Sequence, residues 1–284
     1  MQQSLNKSIS SPYWLWILLA IITALRIVFR IINLDIKPVW GDETYTFSVI
    51  SGNSEAELAE KFTNAPITIE TFLKYQYPNP EINLGDVLYK LYTNVYPALY
   101  FLTALWWVEL FGHSIATLRG LSAAFSILTL PCMYWIGLEL FASPLVAGVG
   151  MALLFVSPFQ VIYAQEARPY SLLTLVILFS GASLLWALRT HKLIAWYTFA
   201  ISIALGLYTQ LFFLFAIAGY GVYVIAIESF RFTKNFRNFL LANLAGFIAF
   251  SPWSIIVLNH LADFKEKSAW VGKRPLSIPD AIRW

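Results

Sequence analysis

Two adjacent carboxylates, Asp42 and Glu43, follow directly on the first long apolar segment, in the stretch Trp40-Gly41-Asp42-Glu43-Thr44. A carboxylate within hydrogen-bond reach of a hydroxyl takes its proton as a new bond forms, so such a pair is a candidate general base. Asp42 is the assigned base, and Glu43 is read as its neighbour, held by Arg30. A second acid, Glu166, stands in the brief charged loop Ala164-Gln165-Glu166-Ala167-Arg168-Pro169-Tyr170. Its plain alternatives are a solvated loop residue or an ion pair with Arg168. Arg26 and Arg30 lie four residues apart and share one face of a helix. Cations inside an apolar segment need a carboxylate, a phosphate or water. For Arg30, near the boundary, an ion pair with Asp35, Asp42 or Glu43 is expected. Arg26 is deeper and is the stronger candidate for a ligand contact.

The elements that position these residues are apolar spans. The chain has 284 residues, of which 58% are hydrophobic, 17% aromatic and 12% charged. Soluble domains carry about a quarter charged residues, so the fold class is all-α integral membrane. Eleven Trp and fifteen Tyr suit interfacial belts. A net charge of +3 gives no argument for nucleic acid, and the single Cys132 excludes a disulfide framework. His113 and His260 stand apart, so no metal site is assigned. The first segment, with Arg26 and Arg30 inside it, reads as a retained span and not a cleaved signal.

About 20 apolar helical residues cross a bilayer. Tyr13 to Ile32, Ile115 to Phe141, Leu145 to Tyr163, Leu172 to Leu188, Leu193 to Leu207, Leu211 to Ile227 and Phe239 to Leu258 are the seven expected crossings. Residues 33–113 form a long first extracytoplasmic loop, with a surface helix signalled by the capping box Ser54-x-x-Glu57. Pro97 to Phe111 is short for a span and is expected to lie on or re-enter the membrane. Residues 259–284 are a polar extracytoplasmic tail. Arg189 and Lys192, and then Arg231, Lys234 and Arg237, fill short loops that should face the cytoplasm. By that count the N-terminus is cytoplasmic, and Asp42, Glu43 and Glu166 share the outer face, provided Pro97 to Phe111 does not cross.

With these motifs in place, the chain resembles the GT-C glycosyltransferases, in particular relatives of protein O-mannosyltransferase and aminoarabinose transferase. The matching elements are Trp40-x-Asp42-Glu43, Tyr96-Pro97-Ala98-Leu99-Tyr100, Leu110-Phe111-Gly112 and Thr117-Leu118-Arg119-x-Leu121-Ser122-Ala123. Ser157-Pro158-Phe159 through Arg168, and Tyr208-Thr209-Gln210, follow in the family's order. The resemblance implies a polyprenyl-phosphate-linked sugar as donor, an unidentified hydroxyl acceptor, and inverting transfer on the extracytoplasmic face of a bacterial plasma membrane.

It carries the base over to Asp42, or alternatively Glu43, and the second acid to Glu166. Arg26, Arg168 and Arg119, in that order, are the candidates for the donor phosphate, since guanidinium contacts phosphate bidentately. Trp40, Tyr96, Tyr100 and Gln210 are the candidate substrate contacts. The family's His-Pro-Pro is Tyr96-Pro97-Ala98 here, and its Tyr-Thr-His ends in Gln210, so no cofactor is firmly implied, although a divalent cation is compatible. Family members usually extend beyond this single module, so a partner subunit is one expectation. The competing readings are a multi-pass transporter or lipid-carrier flippase, and a non-catalytic subunit of the same fold.

Overall fold

The computed structural model of the chain describes residues 13–51, 66, 68 and 83–260. The capping box at Ser54 and Glu57 and the tail beyond His260 lie outside the described residues. Within them the regular structure is helical: α1 (Tyr13–Ile31), α2 (Gly41–Ile50), α3 (Leu84–Asn94), α4 (Ala98–Phe111), α5 (Ile115–Phe141), α6 (Pro144–Val156), α7 (Pro158–Ala164), α8 (Tyr170–Thr190), α9 (Leu193–Thr209), α10 (Phe213–Ile227) and α11 (Lys234–Asn259). Helices α1, α5, α8 and α11 are each long and apolar enough to cross a membrane, and α6 with α7 makes a fifth if the bent pair is one span. The chain is a helical membrane protein.

Local chemistry sets the helix ends. Ser114 caps α5 by accepting from the Thr117 N–H, and Thr233 caps α11 by accepting from Phe236. A capping box does occur, at Asn83 and Asp86 on α3, where each side chain accepts from the other's backbone N–H. Gly112, at φ +97°, ends α4 in a conformation that favours glycine.

The expected span from Leu145 to Tyr163 is not one straight helix. It breaks into α6 and α7 with a 61° bend. Pro158 has no N–H to continue the ladder, and it drives Ser157 into the extended region, at φ −55° and ψ 128°.

Large apolar side chains fill the core, and small residues let its helices approach closely. Helix α5 packs against α6 and α8, α8 against α9, and α9 against α11. Along these contacts Ser180, Ser183 and Ser202 are buried and return their hydroxyls to carbonyls three residues back. Such side chains let membrane helices meet closely without an orphaned polar group. Gly137 on α5 shows how tight the fit is, since an added Cβ would stand 2.6 Å from Ala147 Cα on α6. Gly137→Ala is therefore expected to cost about 1–3 kcal/mol of stability through overpacking. A thermal unfolding midpoint in detergent unchanged from wild type would contradict this.

Helix α1 is held differently. Among the described residues little of it is buried, so most of its surface faces away from the bundle. Its anchor is Arg30, which is fully buried. Arg30 Nε donates to Ser126 Oγ on α5 at 2.8 Å, and Nη2 donates to the Phe155 carbonyl on α6 at 3.0 Å. The guanidinium carbon also lies 3.5 Å from the centroid of the Phe155 ring. Arg30 thus pairs with none of Asp35, Asp42 and Glu43. The Phe155 carbonyl is within its reach because the α6–α7 break frees carbonyls that a continuous helix would use.

Candidate functional site

Helix α2 and the loop between α7 and α8 meet at one end of the bundle. Glu43 is the centre of that junction and is fully buried. Its partner is Arg119, also fully buried, from the second turn of α5: Nε donates to Oε1 at 2.9 Å and Nη2 to Oε2 at 2.7 Å. The Ala167 N–H adds a bond to Oε1 at 2.8 Å. Arg119 Nη1 donates to the carbonyls of Leu34 and Lys37, both at 2.7 Å, and Nη2 to that of Pro38 at 3.3 Å. One bidentate ion pair therefore ties four segments together: the end of α1, the start of α2, α5 and the 165–168 loop.

This changes two expectations. Glu43 is held by Arg119 and not by Arg30. Arg119, expected at a donor phosphate, has its donors taken up by Glu43 and three backbone carbonyls. The physical reason is burial: a carboxylate inside the bundle needs a planar multi-donor cation beside it, and Arg119 is the one that reaches it.

Asp42, the adjacent residue, points elsewhere. It is half-buried, and its Oδ2 accepts from the Tyr170 hydroxyl at 2.9 Å. Among the described residues no other side chain bonds to it, so a lone pair remains open to a ligand. The divergence follows from helix geometry, in which consecutive residues are turned by about 100°.

Glu166 is 4% exposed. Its partner is Lys37, whose Nζ lies 2.8 Å from Oε1, and not Arg168 as the loop sequence suggests. Residues two apart on a tight loop turn their side chains away from each other, and the segment after α1 brings Lys37 alongside instead. Glu166 Oε2 is buried with no partner. Arg168 Nε and Nη1 are likewise buried and without hydrogen bonds. The Arg168 guanidinium carbon lies 5.8 Å from the Tyr45 ring centroid and 5.7 Å from that of Tyr170.

The junction therefore presents a half-open carboxylate, a cation with two uncommitted nitrogens, and a buried carboxylate oxygen, framed by aromatic rings. Tyr163 and Tyr170 stand with centroids 4.8 Å apart, and Tyr45 meets Tyr96 edge-on at 6.3 Å. Such an arrangement can accept a proton at Asp42 and hold an anion at Arg168.

The remaining candidates divide. Tyr96 frames the site through Tyr45. Trp40, the residue before α2, is partly exposed and leaves its indole accessible. Tyr100, expected as a substrate contact, is fully buried with its hydroxyl 3.1 Å from Ser122 Oγ, so it is part of the packing. Gln210 ends α9 and no bond joins it to either acid, although its Oε1 is buried and unpartnered. Arg26 lines a groove on the flank of α1 that Asp42, Glu43 and Glu166 do not line. Lys37 and Tyr170 are the site residues that sequence reasoning passed over. Tyr170 follows Arg168 and Pro169 at the start of a span, a position that could have drawn attention to its hydroxyl. Among the described residues no group of three His, Cys, Asp or Glu side chains could hold a metal ion. His113 faces Glu109 at 3.5 Å, and the His260 ring stands edge-on to Tyr92.

No family model matches the chain, and comparison with curated proteins and with solved structures finds no match.

Proposed function

We propose that the chain is a membrane glycosyltransferase that moves a sugar from a polyprenyl-phosphate carrier to a hydroxyl acceptor. The observation that carries this reading is that Asp42, half-open, accepts from Tyr170, while the Arg168 guanidinium carbon lies 5.7 Å from the same ring with its Nε and Nη1 lacking partners. The acceptor hydroxyl gives its proton to Asp42 as its oxygen bonds to the anomeric carbon. The bond from that carbon to the phosphate oxygen breaks, and the electron pair leaves on the polyprenyl phosphate. That leaving group needs charge stabilisation more than protonation, which the free N–H groups of Arg168 supply. Direct displacement of this kind inverts the anomeric centre. Glu166, braced by Lys37, has one oxygen left to receive a hydroxyl of the sugar or of the acceptor.

In this reading the chain crosses seven times, with the N-terminus cytoplasmic and the site extracytoplasmic. Helix α4 does not cross. Supporting this, α4 meets the first two turns of α5, with Trp107 Nε1 donating to the Thr117 carbonyl and Tyr100 beside Ser122. Ser122 in turn donates to the Arg168 carbonyl at 3.3 Å, so the start of α4 lies at the level of the junction. At the opposite pole Glu139 pairs with Arg189, and His191 meets Asn235. Those groups adjoin the basic loops assigned to the cytoplasm.

Mass spectrometry of lipids co-purified with the protein tests the donor. A polyprenyl-phosphate sugar is the expected species. Arg168→Gln should weaken its retention about tenfold or more, since a hydrogen bond to a charged group contributes about 1.5–3 kcal/mol. Absence of any lipid-linked sugar, together with counterflow of a labelled solute in liposomes, would replace this reading by transport.

A further inference from the structure

A groove of about 810 Å³ runs along the flank of α1, between it and the broken pair α6–α7. Its walls are apolar, with Ile22, Leu25, Val156 and Val161 among them, and its polar lining consists of Arg26, Asn33 and Gln165. Neither Asp42, Glu166 nor Arg168 lines it. Gln165 closes the groove toward α1 by donating Nε2 to the Phe29 carbonyl at 2.7 Å. Helix α1 is long and apolar enough to cross a membrane and has little buried surface, so in a bilayer this groove would open to lipid.

Arg26 is the unusual occupant. Among the described residues its guanidinium has neither an ion pair nor a hydrogen bond, and its neighbour is the Phe29 ring, 6.0 Å from the guanidinium carbon. An unpaired cation at that depth is costly unless an anion meets it. The groove's length limits what that anion is attached to. From Ile22 to Ile31, where α1 ends, the helix rises about 13.5 Å, close to one leaflet of a roughly 30 Å hydrocarbon core.

We propose that this groove is a binding site for an anionic glycerophospholipid, with the lipid phosphate on Arg26 and Asn33 and one acyl chain along the α1–α6 wall. The site is separate from the Arg168 cation beside Asp42. The lipid wedges α1 against α6–α7 where protein contact is sparse, and supplies the counter-charge that Arg26 lacks. This assignment does not depend on the transfer reaction.

The full chain in nanodiscs of phosphatidylcholine containing a minority of phosphatidylglycerol provides the test, with retained lipid quantified by mass spectrometry after purification. Phosphatidylglycerol should be enriched over its bulk share. Arg26→Gln should lower that enrichment about fivefold or more, on the scale of one charge-assisted contact. Arg26→Lys should keep most of it, and Val161→Trp, which fills the groove without touching the charge, should lose it. Thermal midpoints in pure phosphatidylcholine separate misfolding from lost binding. Equal enrichment in wild type and Arg26→Gln would overturn the proposal. So would a variant that keeps phosphatidylglycerol but releases a lipid-linked sugar, which would make the groove the donor's own.

Discussion

Arg119→Met is expected to destabilise the protein by about 3–5 kcal/mol, the scale for removing one partner of a buried ion pair. The substitution leaves Glu43 charged inside the bundle with only the Ala167 N–H for company, and frees the carbonyls of Leu34, Lys37 and Pro38. Arg119→Lys should recover little, because an ammonium lacks the planar fork that reaches a carboxylate and three carbonyls at once. The double variant Glu43→Gln, Arg119→Met should be more stable than Arg119→Met alone, since no uncompensated charge remains. Thermal or denaturant unfolding in detergent reads all three. A single Arg119→Met variant within about 1 kcal/mol of wild type would show that the clamp does not hold the four segments together.

If the chain carries out the proposed transfer, Asp42→Asn is expected to lower its rate by about 10²–10⁴, the usual contribution of a positioned general base. Its stability should fall by no more than about 1.5 kcal/mol, because Asp42 is half-buried and makes a single side-chain bond, to Tyr170. That combination separates it from Glu43→Gln, where lost activity should accompany lost stability through the Arg119 clamp. Single-turnover transfer from a polyprenyl-phosphate sugar, measured beside a melting curve, distinguishes the two acids. An Asp42→Asn protein that transfers sugar at the wild-type rate would remove Asp42 as the base. If Glu43→Gln lost transfer with its fold intact, the base would move to Glu43.

Neighbouring acids with such different fates illustrate how far sequence reasoning reaches. The stretch from Trp40 to Thr44 stands out by composition alone, because charge is scarce in this chain and two acids are adjacent. Which of them is a structural counter-ion depends on the direction each side chain takes from α2. It also depends on Arg119, 76 residues away, entering from α5. Arg168 shows the converse. Its neighbour Glu166 looked like its partner, but Lys37 takes that role across 129 residues and leaves Arg168 with two free donors. Arg26 and Arg30 share one helix face by spacing and are separated only by depth; the structure seals Arg30 against Phe155 and Ser126, with no acid as partner, and leaves Arg26 lining a groove on the flank of α1.

By itself, the sequence determined the membrane class, because burying so many apolar residues with so few charges is feasible only in lipid. It also placed the long helices: the expected Ile115 to Phe141 coincides with α5, since apolar length and an N-cap serine are local properties. The proline at 158 was visible, but the 61° bend was not, because prolines 131 and 252 lie inside α5 and α11 without ending them. Only the tertiary structure decided which charges cancel and which stay open. Ion pairing in the bundle is settled by distances of a few ångströms between segments remote in the chain. A change of one residue in helix phase turns a side chain through about 100°, and that turn separates the buried Glu43 from the half-open Asp42.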